Sequence, residues 1–391
     1  MSEVYIVEAK RTAIGTFGGS LQPVSAVDLG ITVLKEVMNN LGLQNDDVDE
    51  VILGNVYKAG IKGNPARQVA IHAGLHHTTP AMTLDKQCGS GMKALMLGAN
   101  EIRLGQADLV VTGGIESMSN APHIVLNGRW GSRLGDIKTV DALLYDGLHC
   151  AIENVHMGIT AENLAEKYNI SREEQDEYAL KSQERAHQAI ESGRFKDEII
   201  PVTIKSRKGE TVFEVDEHPR KTSLEKLAQL SPAFKKDGTV TAGNASGIND
   251  GAAIVVLASE KAVKEHNLKP IGRIVSYASA AVEPKIMGFG PVPASKKALE
   301  LANMSLDDMD LVEINEAFAA QVLAVNRELQ IPEEKLNVNG GAIALGHPVG
   351  CSGARIIVTL LHELKKRDQK FGLASLCIGG GQGVTTIIES I

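Results

Sequence analysis

Short apolar runs alternate with longer amphipathic stretches along this chain. The runs at residues 4–7, 51–53 and 109–111 are rich in β-branched residues and predict strands. The stretches at residues 27–39 and 92–104 have the composition and spacing of helices. This alternation is typical of an α/β protein, in which helices and sheets form layers.

The second half of the chain repeats the pattern of the first half. Three short matches occur in the same order in both halves, and their offsets are 308 − 47 = 261, 352 − 90 = 262 and 379 − 113 = 266. The matched segments are residues 47–51 with 308–312, Ser90-Gly91 with Ser352-Gly353, and Gly113-Gly114 with Gly379-Gly380. Such segments recur by chance in α/β proteins, but the nearly constant offset favours a duplicated half. Equivalent turns of the two halves would then meet across a pseudo-twofold axis.

Residues 119–249 differ in character from the segments on either side. They carry more charge and fewer strand-like runs, which indicates a loop lobe inserted into the fold. The division that follows is an N-terminal half of residues 1–118 and 250–268, this inserted domain, and a C-terminal half of residues 269–391. Within the insert, the sequence from Ser171 to Glu174 has the pattern of a helix-capping box.

Composition narrows the class of protein. The chain has 391 residues, of which 43% are hydrophobic. A chain of this length exceeds the size of one hydrophobic core, so we expect two or three lobes. The formal net charge of -8 argues against a general nucleic-acid or anionic-membrane binder, so an anionic ligand must be held locally. The most basic segment, residues 205–226 with Arg207, Lys208, Arg220 and Lys221, is either a solvated face or a phosphate site.

The cysteines indicate the cellular setting. All four lack CxxC pairing and zinc-ligand spacing, so we expect neither a disulfide framework nor a metal site. The N-terminal residues lack the apolar core of a secretory signal, and we therefore expect a reducing, cytoplasmic setting. Apolar stretches fall short of the roughly 20 residues that a bilayer crossing needs, so we expect no membrane partner.

Cys88 is the first candidate for chemistry. It lies between an apolar strand and a predicted helix, and Gly89 and Gly91 flank it. Free amides and the dipole at a helix N-terminus favour an anion, so we expect a lowered thiol pKa and a nucleophile. The alternative is a small buried core residue, but the adjacent glycines leave room that a core position rarely needs.

His347 and Cys377 are the next candidates. His347 lies in a glycine-rich turn before an apolar helix, where it can take the Cys88 proton or donate a hydrogen bond to an oxyanion. Cys377 ends an apolar strand before three glycines, whose amides can be oxyanion donors, and its thiol can move a proton at carbon. The alternatives are a structural histidine that bonds a turn carbonyl and a buried strand cysteine.

Asn315 closes another predicted strand and begins the segment Asn315-Glu316-Ala317-Phe318. Its amide could hold a water or an oxygen near His347, although a helix cap is the more usual role for asparagine at such a place. Cys150 and Cys351 lie outside comparable motifs, and we assign them no chemistry.

At these residues the chain resembles the thiolases, and the resemblance covers essentially its whole length. The motifs that carry it stand in the family's order: Cys88-Gly89-Ser90-Gly91, Asn315-Glu316-Ala317-Phe318, Gly346-His347-Pro348 and Cys377-Ile378-Gly379-Gly380-Gly381. The resemblance implies a duplicated α-β-α layered fold, with two similar halves of mixed five-stranded sheets and helices plus an inserted loop lobe. It also implies an acyltransferase that condenses two acetyl-CoA molecules to acetoacetyl-CoA and CoA and catalyses the reverse thiolysis.

The same resemblance implies a role for each catalytic residue. Cys88 becomes acetylated, His347 activates it, Cys377 is the acid and base at the acyl α-carbon, and Asn315 anchors a water. The backbone N–H groups of Cys88 and Gly379 form one oxyanion hole, and His347 with the water forms the other.

For CoA binding, the resemblance implies eight positions around a tunnel, which are Leu148, His156, Met157, Arg220, Phe234, Ala242, Ser246 and Phe318. Arg220 would lie near the adenine and phosphates, Ser246 at the pantetheine, and Met157 over the acyl pocket, where it would exclude long chains. The implied partners are acetyl-CoA, acetoacetyl-CoA and CoA as substrates, with no cofactor and no metal. The implied assembly is a homotetramer, a dimer of dimers, with contacts from residues 121–140.

Four other functions remain open on the sequence alone. A degradative 3-ketoacyl-CoA thiolase shares the chemistry and differs in the length of its acyl pocket. A ketoacyl synthase-like enzyme would want a histidine where Asn315 stands and has no need of Cys377. A cysteine hydrolase leaves Cys377 and the duplication unexplained, and a silent acyl-CoA-binding protein would not need four reactive positions.

Overall fold

The computed structural model describes residues 2–207 and 209–391, so Lys208 of the basic segment lies outside the described residues. The strands are β1 (Tyr5–Thr12), β2 (Gly15–Thr16), β3 (Glu50–Gly54), β4 (Ala81–Leu84), β5 (Leu109–Ser117), β6 (His123–Ile124), β7 (Val140–Asp141), β8 (His149–Cys150), β9 (Val155–His156), β10 (Ile199–Ile200), β11 (Val202–Ser206), β12 (Gly209–Phe213), β13 (Asn249–Ala258), β14 (Gly272–Ala281), β15 (Leu311–Ile314), β16 (Phe371–Ile378) and β17 (Gln382–Ser390). The helices are α1 (Ala26–Leu41), α2 (Pro65–Ala73), α3 (Ser90–Arg103), α4 (Met157–Tyr168), α5 (Arg172–Glu191), α6 (Leu224–Ala228), α7 (Glu260–Glu265), α8 (Pro291–Ala302), α9 (Ala319–Leu329), α10 (Ala342–Leu345) and α11 (Val349–Arg367). The strands and helices predicted from the apolar pattern overlap β1, β3, β5, α1 and α3 and are confirmed.

The central sheet shows the duplication directly. Its strand order is β15-β16-β17-β14-β1-β13-β5-β3-β4, with β2 and β10 paired at the side. In the N-terminal half, β4, β3 and β5 are parallel, and β13 and then β1 pair antiparallel. The C-terminal half repeats this order, because β15 and β16 are parallel and β17 and then β14 pair antiparallel. The predicted duplicated α/β fold is confirmed.

The two halves differ at one edge of the sheet. Where the N-terminal half has β4, the C-terminal half has a single parallel bridge between Leu336 and Val312. The next residue, Asn337, has a left-handed φ of 45°, which ends the extended backbone at once. The five-stranded sheet expected in each half is therefore complete in the N-terminal half and reduced to four strands and this bridge in the other.

Helices α3 and α11 pack against each other between the halves, and each carries one of the matched Ser-Gly pairs near its N-terminus. A Cβ on Gly91 would lie 2.8 Å from the Ala354 nitrogen, and a Cβ on Gly353 would lie 2.5 Å from the Met92 nitrogen. Only glycine allows backbones to approach this closely. The contact therefore brings the turn before α3 next to the turn before α11.

The chain between β5 and β13 contains α4, α5 and α6 and three two-stranded ribbons, β6/β7, β8/β9 and β11/β12. The capping box predicted for α5 is present: Ser171 Oγ accepts the Glu174 N–H at 3.1 Å, and Glu174 Oε2 accepts the Ser171 N–H at 2.7 Å. The residue bounds of the inserted domain stay a prediction. Among the described helices, none has the length and apolar character needed to cross a membrane.

Candidate active site

Cys88 lies in the turn that joins β4 to α3. The preceding Gln87 has a left-handed φ of 47°, which is unusual for a residue with a side chain. Ser90 Oγ holds the turn in this shape by donating to the Gln87 carbonyl at 2.7 Å. A Cβ on Gly89 would lie 2.5 Å from Ile378 Cδ1 of β16, so the turn is pressed against the C-terminal half.

The Cys88 thiol faces backbone amides, and the residue is partly buried. Burial raises the pKa of the thiol to about 11, although the N–H groups of Gly379 and of Cys88 itself act to lower it. The lowered pKa expected at a helix N-terminus is therefore wrong, because α3 begins only at Ser90 and desolvation outweighs the amides. The resting group is a thiol, so a base must remove its proton during attack.

His347 precedes α11, and its imidazole is held in one tautomer. Nδ1 lies 2.5 Å from Ser352 Oγ, and that hydroxyl donates to the Pro348 carbonyl at 2.9 Å. Because the hydroxyl hydrogen is used there, Oγ accepts from Nδ1, which must carry the ring hydrogen. Nε2 is left with a lone pair, and among the described residues it has no hydrogen-bond partner. Burial, together with Arg355, lowers the imidazole pKa to about 4, so the ring is a neutral base near pH 7.

A buried asparagine at the start of β13 fixes the backbone of the His347 turn. Asn249 Oδ1 accepts the His347 N–H at 2.8 Å, and Asn249 Nδ2 donates to the Gly15 carbonyl at 3.0 Å. Gly346 has a φ of 104°, and a Cβ there would lie 2.4 Å from the Asn249 amide. This close approach explains why the turn requires glycine.

Cys377 and Gly379 lie at the end of β16. The Cys377 side chain has 0% exposure, and burial raises its pKa well above the usual range, with the nearby Cys88 thiol adding to the shift. Gly380 and Gly381 then take left-handed φ values of 84° and 86°, which turn the chain sharply after the Gly379 amide. The Cys88 thiol is thus close to the Gly379 N–H and to the Cys377 thiol.

Asn315 follows β15 and does not cap a helix. Helix α9 begins at Ala319 with Phe318 at the N-cap position, so the alternative role of a cap is wrong. Both Oδ1 and Nδ2 of Asn315 are buried and, within the part of the chain that is described, lack hydrogen-bond partners. An unsatisfied buried group costs about 1–3 kcal/mol, so this amide favours a bound water or ligand.

A cavity of about 390 Å³ opens beside Cys88, His347 and Gly379. All eight positions expected to contact CoA line it, namely Leu148, His156, Met157, Arg220, Phe234, Ala242, Ser246 and Phe318. Cys377 and Asn315 are buried and are not among the residues that line it. A largely apolar wall with a few convergent polar groups is the usual character of a small-molecule site.

Aromatic rings form one wall of this cavity. His156 stacks on Phe234 with ring centroids 4.5 Å apart, and Phe234 meets Phe318 edge-on at 6.1 Å. Burial lowers the pKa of His156 to about 4, and the adjacent His149 acts in the same direction. The ring is therefore neutral near pH 7, and the wall suits an uncharged part of a ligand.

Thr16, Phe17 and His218 also line the cavity, and no sequence pattern marks them. His218 Nδ1 lies 3.1 Å from Thr16 Oγ1, while Phe17 is 54% exposed. These residues lie far from the catalytic motifs along the chain, and only the packing of the insert on β2 brings them to the site. Local sequence therefore offers no signal that could have found them.

A second cavity, of about 450 Å³, lies elsewhere, beside the C-terminal end of α5. Its lining includes Phe195, Glu214 and Asp216 and contains neither cysteine nor histidine. Asp216 is already paired with Arg11 at 2.7 Å. The smaller cavity, which holds the thiol and the imidazole, is therefore the candidate active site.

Two family models account for the chain. The model of the thiolase N-terminal domain matches residues 4–261, and the model of the thiolase C-terminal domain matches residues 268–390. The chain belongs to the thiolase family, which confirms the resemblance of its motifs and identifies it as an acyltransferase.

Similar proteins of known name cover the chain from end to end. An acetyl-CoA acetyltransferase of Pseudomonas aeruginosa is 57% identical over 386 residues, which are 98% of each chain. The crystal structure of Bacillus anthracis acetyl-CoA acetyltransferase superposes with a TM-score of 0.98 at 52% identity, over 100% of this chain and 99% of that one. Human mitochondrial 3-ketoacyl-CoA thiolase superposes with a TM-score of 0.97 at 50% identity, with the same coverage.

Proposed function

We propose that this protein condenses two acetyl-CoA molecules to acetoacetyl-CoA and CoA and catalyses the reverse thiolysis, through an acetyl group held on Cys88. The observation that carries the proposal is a partly buried thiol, Cys88, at one cavity with the unpartnered Nε2 of a neutral imidazole, His347. Similarity over the whole chain to proteins named acetyl-CoA acetyltransferase supports it. The route is a ping-pong reaction in which one acyl group waits on sulfur while the first CoA leaves.

In the first half-reaction, Cys88 Sγ attacks the carbonyl carbon of acetyl-CoA. His347 Nε2 takes the thiol proton, and the bond to the CoA sulfur breaks as Cys377 donates its proton to that sulfur. The result is free CoA, acetyl-Cys88, a Cys377 thiolate and a His347 imidazolium. The neutral starting state agrees with the raised pKa of both thiols and the lowered pKa of His347.

In the second half-reaction, the Cys377 thiolate removes a proton from the α-carbon of a second acetyl-CoA. That carbon attacks the acetyl group, a carbon-carbon bond forms, and the bond to Cys88 sulfur breaks. His347 returns its proton to Cys88, which restores two thiols and a neutral imidazole. Thiolysis follows the same steps in reverse.

Two sets of donors would stabilise the charge that develops on oxygen. The N–H groups of Cys88 and Gly379, which already point at the sulfur, would hold the acetyl oxygen on Cys88. Protonated His347 and a water on the unsatisfied amide of Asn315 would hold the oxygen of the second thioester. Removal of one such donor typically costs about 3 kcal/mol of transition-state stabilisation.

The cavity lining supports a CoA thioester as the ligand. We assign Arg220 to the adenine and phosphates and Ser246 to the pantetheine, with the His156, Phe234 and Phe318 rings beside the chain. A Cβ on Gly379 would lie 2.6 Å from Met157 Cε, so Met157 lies directly beside the amide that holds the acyl oxygen. This position lets Met157 cap a short acyl pocket. The scheme uses side chains and amides of the protein and one water, so it requires no cofactor.

A degradative 3-ketoacyl-CoA thiolase of broader chain length is the second candidate, because a human enzyme of that name shares the fold at 50% identity. The test is CoA-dependent thiolysis of 3-ketoacyl-CoA substrates of increasing length, starting with acetoacetyl-CoA, under reducing conditions. Activity confined to acetoacetyl-CoA supports the proposal. Activity that persists or rises with length supports the degradative enzyme, and absence of thiolysis with every substrate contradicts both.

We also propose a homotetramer, a dimer of dimers, with contacts from residues 121–140. In this segment Trp130 is 88% exposed, Leu134 96% and Ile137 62%. Large apolar side chains exposed together on a surface indicate an interaction site. The segment is therefore suited to bury these side chains against another copy of the chain.

We propose that the protein works in a reducing, cytoplasmic setting. Its four cysteines, all within the described residues, are free thiols. The proposed reaction needs both Cys88 and Cys377 in the reduced form, so an oxidising compartment would remove the nucleophile and the acid together.

A further inference from the structure

Glu116, at the end of β5, is a buried carboxylate that receives four hydrogen bonds from both halves of the fold. Its Oε1 accepts from Asn55 Nδ2 at 2.6 Å and from the Tyr57 N–H at 3.1 Å. Its Oε2 accepts the Val56 N–H at 3.0 Å and the Gly350 N–H at 2.8 Å. All four partners are N–H donors, so the arrangement suits the ionised carboxylate and leaves no acceptor for a proton on it.

The segment that Glu116 holds in the N-terminal half supports the Cys88 turn. A Cβ on Gly54 would lie 2.5 Å from the Ser90 carbonyl carbon, so the end of β3 touches the start of α3. Val56 and Tyr57 belong to the same apolar cluster as Cys88. A shift of this segment would therefore move the nucleophile.

The bond from Gly350 connects Glu116 to the helix that carries the base. Gly350 is in the first turn of α11, between His347 and the Ser352 hydroxyl that fixes its imidazole. A helix N-terminus favours a negative charge because its N–H groups are free and its dipole is positive there. A Cβ on Gly350 would lie 2.7 Å from Glu116 Oε2, so the helix end rests directly on the carboxylate.

We propose that Glu116 is a positioning residue for acyl transfer, whose charged carboxylate fixes the alignment of Cys88 Sγ with His347 Nε2. The inference rests on the proposed acetyl transfer through Cys88. A glutamine offers one acceptor oxygen and would turn its NH₂ group toward N–H donors, so it cannot hold both segments at once. Either the segment that supports Cys88 or the segment that carries His347 would then be released, and the two reacting atoms would lose their alignment.

The charge of Glu116 also acts on the thiol itself. Burial raises the pKa of Glu116 to about 7, while its amide donors and Lys58 act to lower it, so the carboxylate carries its full charge on the alkaline side of neutrality, where the rates are compared. The other ionisable groups that face it are Tyr57, Cys88 and Cys351, and in each the carboxylate raises the pKa. Removing the charge should therefore make Cys88 easier to ionise while it misaligns the base. Misalignment of the base should slow acylation of Cys88, whereas easier ionisation of the thiol should speed its alkylation at a given pH.

The test is Glu116→Gln in the full chain. Single-turnover acylation of Cys88 by acetyl-CoA, followed by intact mass, should slow about 10²-fold, the loss that a misplacement of about 1 Å produces. Alkylation of Cys88 by iodoacetamide should instead shift its pH profile to lower pH. The matched control is Glu162→Gln, which alters a buried glutamate that accepts the Thr239 and Val240 N–H groups inside the insert. Glu162→Gln should leave the acylation rate and the pH profile of alkylation unchanged.

Asn55→Ala is the second variant, because it keeps the charge of Glu116 and removes the bond of 2.6 Å to it, together with a weaker bond of 3.2 Å from the same amide to the Ile115 carbonyl. It should slow acylation less than Glu116→Gln and leave the alkylation profile in place. A wild-type protein that acetyl-CoA does not acylate would refute the proposed function itself. If the wild type is acylated, wild-type acylation rates in either variant overturn the positioning role. The positioning role is also overturned if acylation and alkylation of Cys88 both fall in proportion to the fraction of the variant that is folded.

Discussion

His347 Nδ1 lies 2.5 Å from Ser352 Oγ. His347 precedes α11, and Ser352 lies in the first turn of that helix. The Ser352 hydroxyl donates to the Pro348 carbonyl at 2.9 Å, so the ring hydrogen is on Nδ1 and the lone pair is on Nε2. Both partners belong to one continuous segment of chain. The proposed base is therefore set in the correct tautomer before any ligand binds.

Ser352→Ala should slow acylation of Cys88. Without the hydroxyl, Nδ1 loses its acceptor, and the ring can carry its hydrogen on Nε2, where it cannot take the thiol proton. Because general bases contribute about 10²–10⁴-fold, we expect a fall of about 10-fold or more in single-turnover acylation. Ser295→Ala removes another buried hydroxyl, one that lies 3.1 Å from Thr385 Oγ1, and serves as the control. Equal losses in both variants would contradict the role of the tautomer.

Cys88→Ala and Cys377→Ala should fail at different steps. Cys88→Ala should abolish acyl transfer because no sulfur is left to carry the acetyl group. Cys377→Ala should still show acetylation of Cys88 by intact mass but should form no acetoacetyl-CoA, because the α-proton has no acceptor. Cys150→Ala, at a buried cysteine outside the proposed chemistry, is the control. The division of roles is wrong if both active-site variants lose acylation equally.

The thiol of Cys88 should titrate as a neutral, partly buried group rather than as half of an ion pair. Burial raises its pKa to about 11, while the pKa of His347 is lowered to about 4, so both are neutral between these values. Alkylation by iodoacetamide should therefore rise about tenfold per pH unit above neutrality, because only the thiolate reacts. A rate that is already at a plateau near neutral pH would indicate a thiolate-imidazolium pair instead.

The raised pKa of Cys88 also makes the free energy of unfolding depend on pH. An unfolded cysteine titrates near 9.0 and the folded Cys88 near 11, so the folded protein retains the proton longer. The contribution of Cys88 to the free energy of unfolding is therefore fully present below pH 9 and is lost as the pH rises through 11. Thermal melts of the wild type and Cys88→Ala should differ less at the alkaline end of this interval. A constant difference would contradict the shift.

Met157→Ala should widen the range of acyl chains. Met157 is 8% exposed, and its Cε lies where a Cβ on Gly379 would approach to 2.6 Å, so its removal opens space beside the acyl group. Thiolysis of longer 3-ketoacyl-CoA substrates should rise relative to acetoacetyl-CoA. Stability should fall by about 2–5 kcal/mol, which is typical when a buried methionine is truncated. Met118→Ala, in the same cavity but bonded through sulfur to the Asn249 N–H, should not widen the range.

Leu134→Asp should weaken the proposed tetramer. Leu134 is 96% exposed in the segment of residues 121–140, and a carboxylate there would have to be desolvated in a contact between copies. Light scattering should show smaller particles than for the wild type. Leu104→Asp, at a leucine that is 71% exposed outside this segment, should leave the mass unchanged. A wild-type protein that is a stable monomer would remove the proposal.

Several features of the site lay outside the reach of sequence reasoning, and each has a physical reason. The helix N-terminus after Cys88 suggested a lowered pKa, but the turn places the sulfur ahead of α3 in a partly buried position, where desolvation dominates. Asn315 follows its strand as predicted, yet the helix after it begins four residues later, so its amide is free to bind something else. His218 reaches the cavity only because the insert folds back against Thr16.

The sequence by itself determined the alternation of strands and helices, the duplication, and the glycine-flanked positions of Cys88, His347 and Cys377, because these follow from periodicity and backbone constraints over a few residues. It also carried the motifs that define the family. Only the tertiary structure decided the tautomer of His347, the protonation state of Cys88 and the contacts of Glu116. Those properties depend on which groups from distant parts of the chain exclude water or donate hydrogen bonds at one point in space, and no local pattern encodes that arrangement.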